Sequence, residues 1–324
     1  MKNVAIIMGG YSSEYKISLT SGNVVYNNID PTKYRAFRIH IFKDKWVYVD
    51  EHDAEYPINK NDFSVEVNTI KITFDVVFNA IHGTPGEDGL LQAYFELLGV
   101  KQTSCDYYQA ALTFNKRDLL SVLKPYGIKT AVSYYLNLGD TINAEEIITK
   151  VGLPCFVKPN KSGSSFGISK VKTMEELVPA IENAYQEDTE IIIESFLDGP
   201  EVSVGVINYK GKVTVLPITE IVSENDFFDY EAKYLGKSKE ITPARISEEL
   251  QQKIAKVAKK AYEVLKMKGF SRSEFIIVNG EPHMLEMNTI PGLTTESILP
   301  QQAREAGISL PELFENAIEL ALAN

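Results

Sequence analysis

The first ten residues narrow the fold more than any other stretch. "VAIIM" (4–8) is wholly apolar and stops at Gly9-Gly10. A strand apolar on both faces must be covered on both faces. Residues 18–29, "SLTSGNVVYNNI", follow with helical spacing behind a Ser/Thr start. The order repeats further on: "FDVVFNAIHG" (74–83) is a second buried strand ending in a histidine-glycine loop, and "GLLQAYFELLG" (89–99) is an amphipathic helix with a glycine stop. Buried strand, glycine turn, then helix predicts a parallel, doubly wound sheet. Ligands sit at the carboxyl ends of such strands, so the loops at 9–14 and 82–88 are the places to look.

The remaining 220 or so residues are too many for one core, and two or three domains are expected in the 324-residue chain. "YRAFRIHIF" (34–42) and "KWVYVD" (45–50) read as strands. The middle of the chain begins with a helix over 107–127. It continues with a strand at 129–136, a helix at 143–152, a strand at 154–159, a helix at 173–186 and a strand at 190–197, a small α+β unit. Further strands follow at 201–207 and 212–221, then a long helix over 247–268. "FSRSEFIIVNGEPHMLEMN" (270–288) reads as a hairpin turning at Asn279-Gly280, and a helix closes the chain. Between them, "SENDFFDYEAKYLGKSKE" is polar and aromatic without periodicity.

Charge and cysteine content exclude several function classes. Acidic residues outnumber basic ones 44 to 33, for a net charge of −11, and no basic run offers a face to nucleic acid. Two cysteines, Cys105 and Cys155, make neither a disulfide framework nor a four-ligand zinc site. No apolar run approaches the ~18 residues of a membrane span, and the N-terminus does not read as a signal peptide. A reducing cytoplasm is the expected location, with no membrane or nucleic-acid partner.

Three stretches carry chemistry. In the hairpin, period-2 geometry puts Glu286 and Asn288 on one face, and pairing around the turn brings Glu274 near them. Two carboxylates and an amide oxygen are hard ligands suited to Mg²⁺. A solvated polar face is the alternative, but "FIIV" and "HMLEM" are core-like, and carboxylates there need a cation. Arg272 adds positive charge for a phosphate. "VKPNKSGSSFGISKV" (157–171) lacks a Walker sequence, yet Lys158 ends an apolar strand and the glycines let backbone N–H groups approach an anion. By composition alone a surface turn is the commoner reading. Lys116 is a further phosphate contact, unless it is simply solvated. Glu14 enters a helix, where an acid also favours the helix N-terminus. His82 ends a buried strand, as a ligand contact or a structural hydrogen bond.

Taken together, "MGGYSSEYKISLTSG" (8–22), "HGTPGEDGLLQ" (82–92), "VKPNKSGSSFGISKV", "FFDYEAKY" (227–234) and "MLEMNTIPGLTTESILP" (284–300) resemble the D-alanine–D-alanine ligase family of the ATP-grasp superfamily, over about residues 4 to 312. The resemblance implies an α/β (α+β) three-domain ATP-grasp fold: a Rossmann-like N-terminal substrate domain (1–103), a central subdomain (104–193) and a C-terminal subdomain (194–324) with an ω-loop lid near 223–240. It implies ATP-driven joining of two D-alanines through a D-alanyl phosphate, for peptidoglycan synthesis, in a homodimer.

By the same resemblance, Glu14 binds the first alanine's ammonium and His82 lies near its carboxylate. Lys116 and Lys158 contact ATP phosphates, and Lys233 approaches the nucleotide. Ser164 ties Glu14 to Tyr234 in the lid. Glu194, Phe196, Leu197 and Glu201 line the adenosine site, with Glu201 on the ribose. Arg272 stabilises the transferring phosphoryl group and the oxyanion. Glu274, Glu286 and Asn288 hold two Mg²⁺ (or Mn²⁺). Gly292 offers a backbone N–H to the oxyanion, and Ser297 and Ile298 meet the second alanine's carboxylate.

The sequence departs from the family pattern at four places. Glu274 stands where aspartate is usual, Asn115 where aspartate precedes the lysine, Ser195 where a lysine often contacts adenine, and Glu296 where histidine is frequent. Tyr234 is typical of dipeptide-forming members, which favours D-alanine over D-lactate. The rivals are a ligase using D-serine or D-lactate second, and a nucleotide-binding protein that keeps the shell without the chemistry. "MGGYSS" lacks G-x-G-x-x-G, so a nicotinamide oxidoreductase is disfavoured.

Overall fold

The structure, a computed structural model, describes residues 1–161, 163, 166–223 and 238–323. The predicted lid and the tip of the 157–171 loop, with Ser164, Lys233 and Tyr234, lie outside the described residues.

The first sheet has eight strands: β1 (Lys2–Gly9), β2 (Tyr34–Ile41), β3 (Trp46–Val49), β4 (Glu55–Asn59), β5 (Ser64–Val67), β6 (Ile70–Ile72), β7 (Val76–Asn79) and β8 (Lys101–Gln102), in the order β6-β5-β4-β3-β2-β1-β7-β8. Helix α1 (Tyr15–Asn28) follows β1, and α2 (Leu90–Leu98) follows β7. Only β2, β1, β7 and β8 run parallel; β2 to β6 form an antiparallel meander. The doubly wound expectation therefore holds for half of the sheet. The meander escaped notice because β4 to β6 are short and mostly exposed on at least one face.

Helices α3 (Tyr107–Phe114) and α4 (Lys116–Leu123) replace the single helix expected over 107–127. Asn115 has extended geometry (φ −90°, ψ 100°), and its side chain accepts the N–H of Asp118, which ends one helix and starts the next. The strand expected at 129–136 also divides, into β9 (Lys129–Thr130) and β10 (Ser133–Asn137), which join different sheets. A four-stranded antiparallel sheet, β10-β13-β11-β12, comprises β10, β11 (Cys155–Pro159), β12 (Ser169–Val171) and β13 (Glu190–Ser195). Helices α5 (Ala144–Val151) and α6 (Leu177–Ala184) cover it and share its core of Ile147, Leu177, Ile181, Ile191 and Ile193.

The third sheet holds seven strands: β9, β14 (Glu201–Tyr209), β15 (Lys212–Val215), β16 (Thr219–Ser223), β17 (Ser238–Ile241), β18 (Phe270–Val278) and β19 (Glu281–Asn288). The strand expected over 212–221 breaks at Leu216-Pro217-Ile218, so β15 and β16 pair with different parts of β14. Helix α7 (Glu248–Val264) packs beneath, with Ile254, Ala258 and Tyr262 buried. α3 and α4 contribute Ala110, Leu119, Leu120 and Leu123 to this same core, which also takes in Ile192 of β13.

Helices α8 (Ile298–Glu305) and α9 (Leu310–Ala323) return to the first sheet. Leu299, Leu313, Phe314 and Ile318 share one core with Val4, Ile6, Met8 and Phe78, and with Ile207 and Phe270 of the third sheet. The first and third sheets are thereby joined by a continuous apolar interior. Three loop systems meet above it: 9–14 and 82–88 at the carboxyl ends of β1 and β7, and the segment after β19.

Candidate active site

The β18–β19 hairpin sets the floor. Asn279 (φ 52°) and Gly280 (φ 74°) form the two-residue left-handed turn that Asn-Gly favours. The register pairs Arg272 with Asn288 and Glu274 with Glu286, so all four share one face. Arg272 donates from Nη1 to Ser203 Oγ at 3.1 Å and pairs with the Glu274 carboxylate, which is buried. Asn288 Oδ1 accepts the N–H of Ile290 at 3.0 Å, starting the turn into the next loop. Burial would lower the Arg272 pKa, but Glu274, Glu286 and Glu240 outweigh it and hold the guanidinium above its usual value.

Two lysines face this floor. Lys116 opens α4 and is buried, with Nζ 3.2 Å from Glu286 Oε2. It is no solvated helical lysine. Its helix start is stitched to the end of β11 by Asn160, itself buried. Asn160 Oδ1 accepts Arg117 N–H at 2.9 Å, and its Nδ2 donates to Asn115 Oδ1 and Glu190 Oε2, both at 2.8 Å. Asn115 thus caps α4 and accepts from Asn160 together. Lys158, on β11, donates to Glu194 Oε2 at 2.9 Å and lies 5.6 Å from the Phe156 ring centre. Burial would lower the Lys158 pKa, but Glu194, Glu286 and Glu201 raise it above normal.

Glu194 Oε1 is buried without a hydrogen-bond partner among the described residues. Phe196 lies tilted against Phe156, with centroids 6.2 Å apart, and Leu197 and Glu201 follow it along the chain into β14. Ser195 Oγ accepts Val132 N–H at 3.0 Å, closing the edge of β10 rather than reaching into the cleft.

The opposite wall comes from the first sheet. Glu14 makes no side-chain cap on α1. Its carboxylate instead stands against the 157–171 loop: a Cβ at Gly163 would lie 2.8 Å from Glu14 Oε2. A side chain there would make the Glu14 carboxylate shift. Ser12 Oγ donates to His82 O at 3.0 Å, and Tyr11, its neighbour, receives a hydrogen bond from Trp46 Nε1 at 3.1 Å.

His82 is buried with both ring nitrogens engaged. Nδ1 donates to the Ile290 carbonyl at 2.8 Å, which leaves Nε2 to accept from Ser21 Oγ at 3.1 Å. Ser21 Oγ in turn accepts Leu293 N–H at 3.3 Å. Burial holds the imidazole pKa down against the pull of Glu14, which fits this neutral ring. The structural reading of His82 gains most from this, although the ring still lines the cavity.

Glu87 was missed from sequence. It accepts Gly83 N–H at 2.7 Å and Ile290 N–H at 3.3 Å, and burial, with Glu14 nearby, pushes its carboxyl up to about 8. An acid inside a glycine-rich loop after a buried strand was the available signal.

At the far end, Ser297 opens α8. Gly292 packs against it so closely that a Cβ there would lie 2.7 Å from Ser297 Oγ, which meets Thr294 Oγ1 at 2.8 Å. Gln302 anchors the helix by donating to Ser203 O at 2.8 Å and Thr219 Oγ1 at 3.0 Å.

These walls enclose a cavity of about 430 Å³. Glu14, His82, Lys116, Arg272, Glu286, Asn288, Gly292, Ser297 and Ile298 all line it, and so do Glu87 and Glu240. Lys158, Glu194, Phe196, Leu197 and Glu201 lie outside its lining, in the adjoining region of the two antiparallel sheets. Glu274 is held beneath Arg272. Among the described residues no three His, Cys, Asp or Glu side chains form a metal-binding group. Two carboxylates with one amide oxygen still suit Mg²⁺, which completes its shell with water and phosphate oxygens. Among the described residues two cations, Lys116 and Arg272, stand with five glutamates around the cavity, so gathering phosphate and carboxylate anions there calls for added divalent cation.

Comparison with known proteins gives the family. Residues 3–105 match the family description "D-ala D-ala ligase N-terminus" and residues 123–319 match "D-ala D-ala ligase C-terminus". The D-alanine–D-alanine ligase of Flavobacterium johnsoniae is 80% identical over 323 residues, covering 100% of both chains. A crystal structure of a D-Ala:D-Ser ligase from Enterococcus faecalis superposes with a TM-score of 0.86 at 32% identity, covering 99% of each chain. The Bacillus anthracis D-alanine–D-alanine ligase complexed with ATP superposes with a TM-score of 0.81 at 28% identity, covering 100% of this chain and 98% of that one.

Proposed function

Because the chain belongs to the D-alanine–D-alanine ligase family, with its ATP-grasp fold, we propose that it joins two D-alanines at the expense of ATP, supplying the dipeptide for peptidoglycan. The observation that carries the reading is the single cavity on which Glu14, Lys116, Arg272, Glu286 and the start of α8 converge.

In this reading a carboxylate oxygen of the first D-alanine attacks the γ-phosphorus of ATP, and ADP leaves. The amine of the second D-alanine then attacks the acyl carbon of D-alanyl phosphate, and phosphate leaves. Glu14 holds the first ammonium, and His82, fixed by Ser21 and Ile290, shapes the pocket around it. Lys116 and Lys158 exchange their carboxylate partners for phosphate oxygens. The buried, unpartnered Glu194 Oε1 accepts from the adenine amine, Phe196 and Leu197 flank the ring, and Glu201 takes the ribose. Arg272 stabilises charge on the transferring group and on the later oxyanion, assisted by the Gly292 N–H. The second carboxylate settles at Ser297 and Ile298, on the N–H groups of α8.

Glu274, Glu286 and Asn288 would hold Mg²⁺, which neutralises phosphate charge. Ser164, Lys233 and Tyr234, outside the described residues, complete the site as a lid that excludes water from the acyl phosphate. The three units 1–103, 104–193 and 194–324 are the working domains, and the active species is a cytoplasmic homodimer. Among the described residues no helix is long and apolar enough to cross a membrane.

The test is product formation from ATP with D-alanine first and D-alanine, D-serine or D-lactate second. D-Alanyl-D-alanine as the main product is expected. Preference for D-serine or D-lactate moves the chain to a neighbouring specificity, and ATP binding without D-alanine-dependent phosphate release contradicts the reading.

A further inference from the structure

Two acids at the α8 end of the cavity have no part in the roles above. Glu240, on β17, and Glu296, just before Ser297, both line it. Gln301, one turn into α8, donates from Nε2 to Glu240 Oε2 at 3.2 Å and to the Glu296 carbonyl at 2.6 Å. Gln301 thereby bridges the Glu240 carboxylate to the Glu296 carbonyl, one residue ahead of Ser297 and the N–H groups that open α8. An α-amino acid with its carboxylate on those N–H groups carries its ammonium one short step away, within reach of Glu240. Arg272 lines the same cavity, where the acyl phosphate would lie.

Building on the ligase reading, we propose that Glu240 is the base that takes a proton from the ammonium of the second D-alanine. The carboxylate becomes a carboxylic acid, and the nitrogen lone pair attacks the acyl carbon. The bond from that carbon to the phosphate oxygen breaks, and phosphate leaves with the bonding pair. The nitrogen's second proton passes to the departing phosphate, and Glu240 returns its own to water. The charged groups acting on Glu240 are Arg272 and Glu274 from β18 and Glu296 ahead of α8. Burial pushes its carboxyl above the usual range, Arg272 pulls it back, and Glu274 and Glu296 push it up again. A carboxylate in that setting accepts a proton more readily than an exposed one. Glu296 adds negative charge that favours an incoming ammonium over a neutral hydroxyl.

Glu240→Gln in the full chain tests this, since the amide keeps an acceptor for Gln301 and loses only charge and basicity. With Mg²⁺, ATP and D-alanine at neutral pH, dipeptide formation should fall on the order of a hundredfold. The deficit should shrink as pH rises and free amine accumulates. Hydroxylamine is uncharged at neutral pH and needs no base, so trapping of the acyl phosphate as hydroxamate should be unchanged. Glu240→Asp should recover part of the dipeptide rate. An unchanged dipeptide rate, a pH-independent deficit, or equal loss of hydroxamate and dipeptide would each overturn the assignment while the ligase reading stands. Wild-type chain forming neither product would overturn the ligase reading, and this proposal with it.

Discussion

Single residues here act through partners distant in sequence. Gly163 is open to a direct test because its missing side chain makes room for Glu14. Gly163→Ala should displace the carboxylate or the loop, and such misplacement lowers kcat/KM on the order of a hundredfold. Steady-state kinetics with D-alanine, beside an unchanged melting temperature, would bear this out; wild-type kinetics would show that the two groups need not approach. Glu87 bears on stability. Its carboxyl titrates near 4.5 when unfolded and near 8 when folded. Between those values the native chain keeps a proton that the unfolded chain has released, so Glu87 makes stability fall as pH rises. Urea unfolding of Glu87→Gln should therefore show a flatter decline across this window than wild type, and parallel curves would contradict the raised pKa. The role of Glu87 was not legible in sequence, and the meeting of Glu14 with the 157–171 loop was expected only from the resemblance, through Ser164. Glu87 and Ile290 are 203 residues apart, and Gly163 meets Glu14 across two sheets.

At the scale of elements, the hairpin was the most legible part. Period-2 alternation puts Glu286 and Asn288 on one face and Asn-Gly sets the turn, but unbroken pairing from that turn would oppose Glu274 to Leu285; a bulge between Glu274 and Phe275 shifts the register and brings Glu274 opposite Glu286. Glu286 touches Lys116 and faces the cavity without supporting the core. Glu286→Gln should cut ATP-dependent turnover by at least a hundredfold with a near-native circular dichroism spectrum; full activity would contradict its place in the phosphate and metal chemistry. Boundaries inside continuous runs were less legible. Asn115 interrupts 107–127 by turning a mid-run amide into a cap, and residues 131–132 carry the chain from one sheet to another. In both places the tertiary partners, Asn160 and the two sheets, decide what local pattern leaves open. The meander of β4 to β6 offered short strands with little buried surface, which is why periodicity did not announce it.

For the whole molecule, the decisive feature is the interior shared by the first and third sheets. Phe314 of α9 packs edge-to-face on Phe78 of β7, with centroids 5.6 Å apart, in the cluster that also holds Ile207 and Phe270. Phe314→Ala should cost about 3–5 kcal/mol. Because the core is common, amide exchange should rise together in β1, β7 and β14, while β11 and β13, which have their own core, are spared. Loss of protection confined to the first sheet would mean the two parts unfold independently. The α/β class and the early sheet were readable from apolar runs, but a helix from residue 310 onward sealing a sheet begun at residue 2 leaves no local trace. The bond from Trp46 to Tyr11 has a practical use. Trp46 is the chain's one tryptophan, and it is tethered to the loop that carries Glu14. Its emission is a built-in optical gauge of that loop, so arrival of the first amino acid can be timed by stopped-flow fluorescence without attaching a dye.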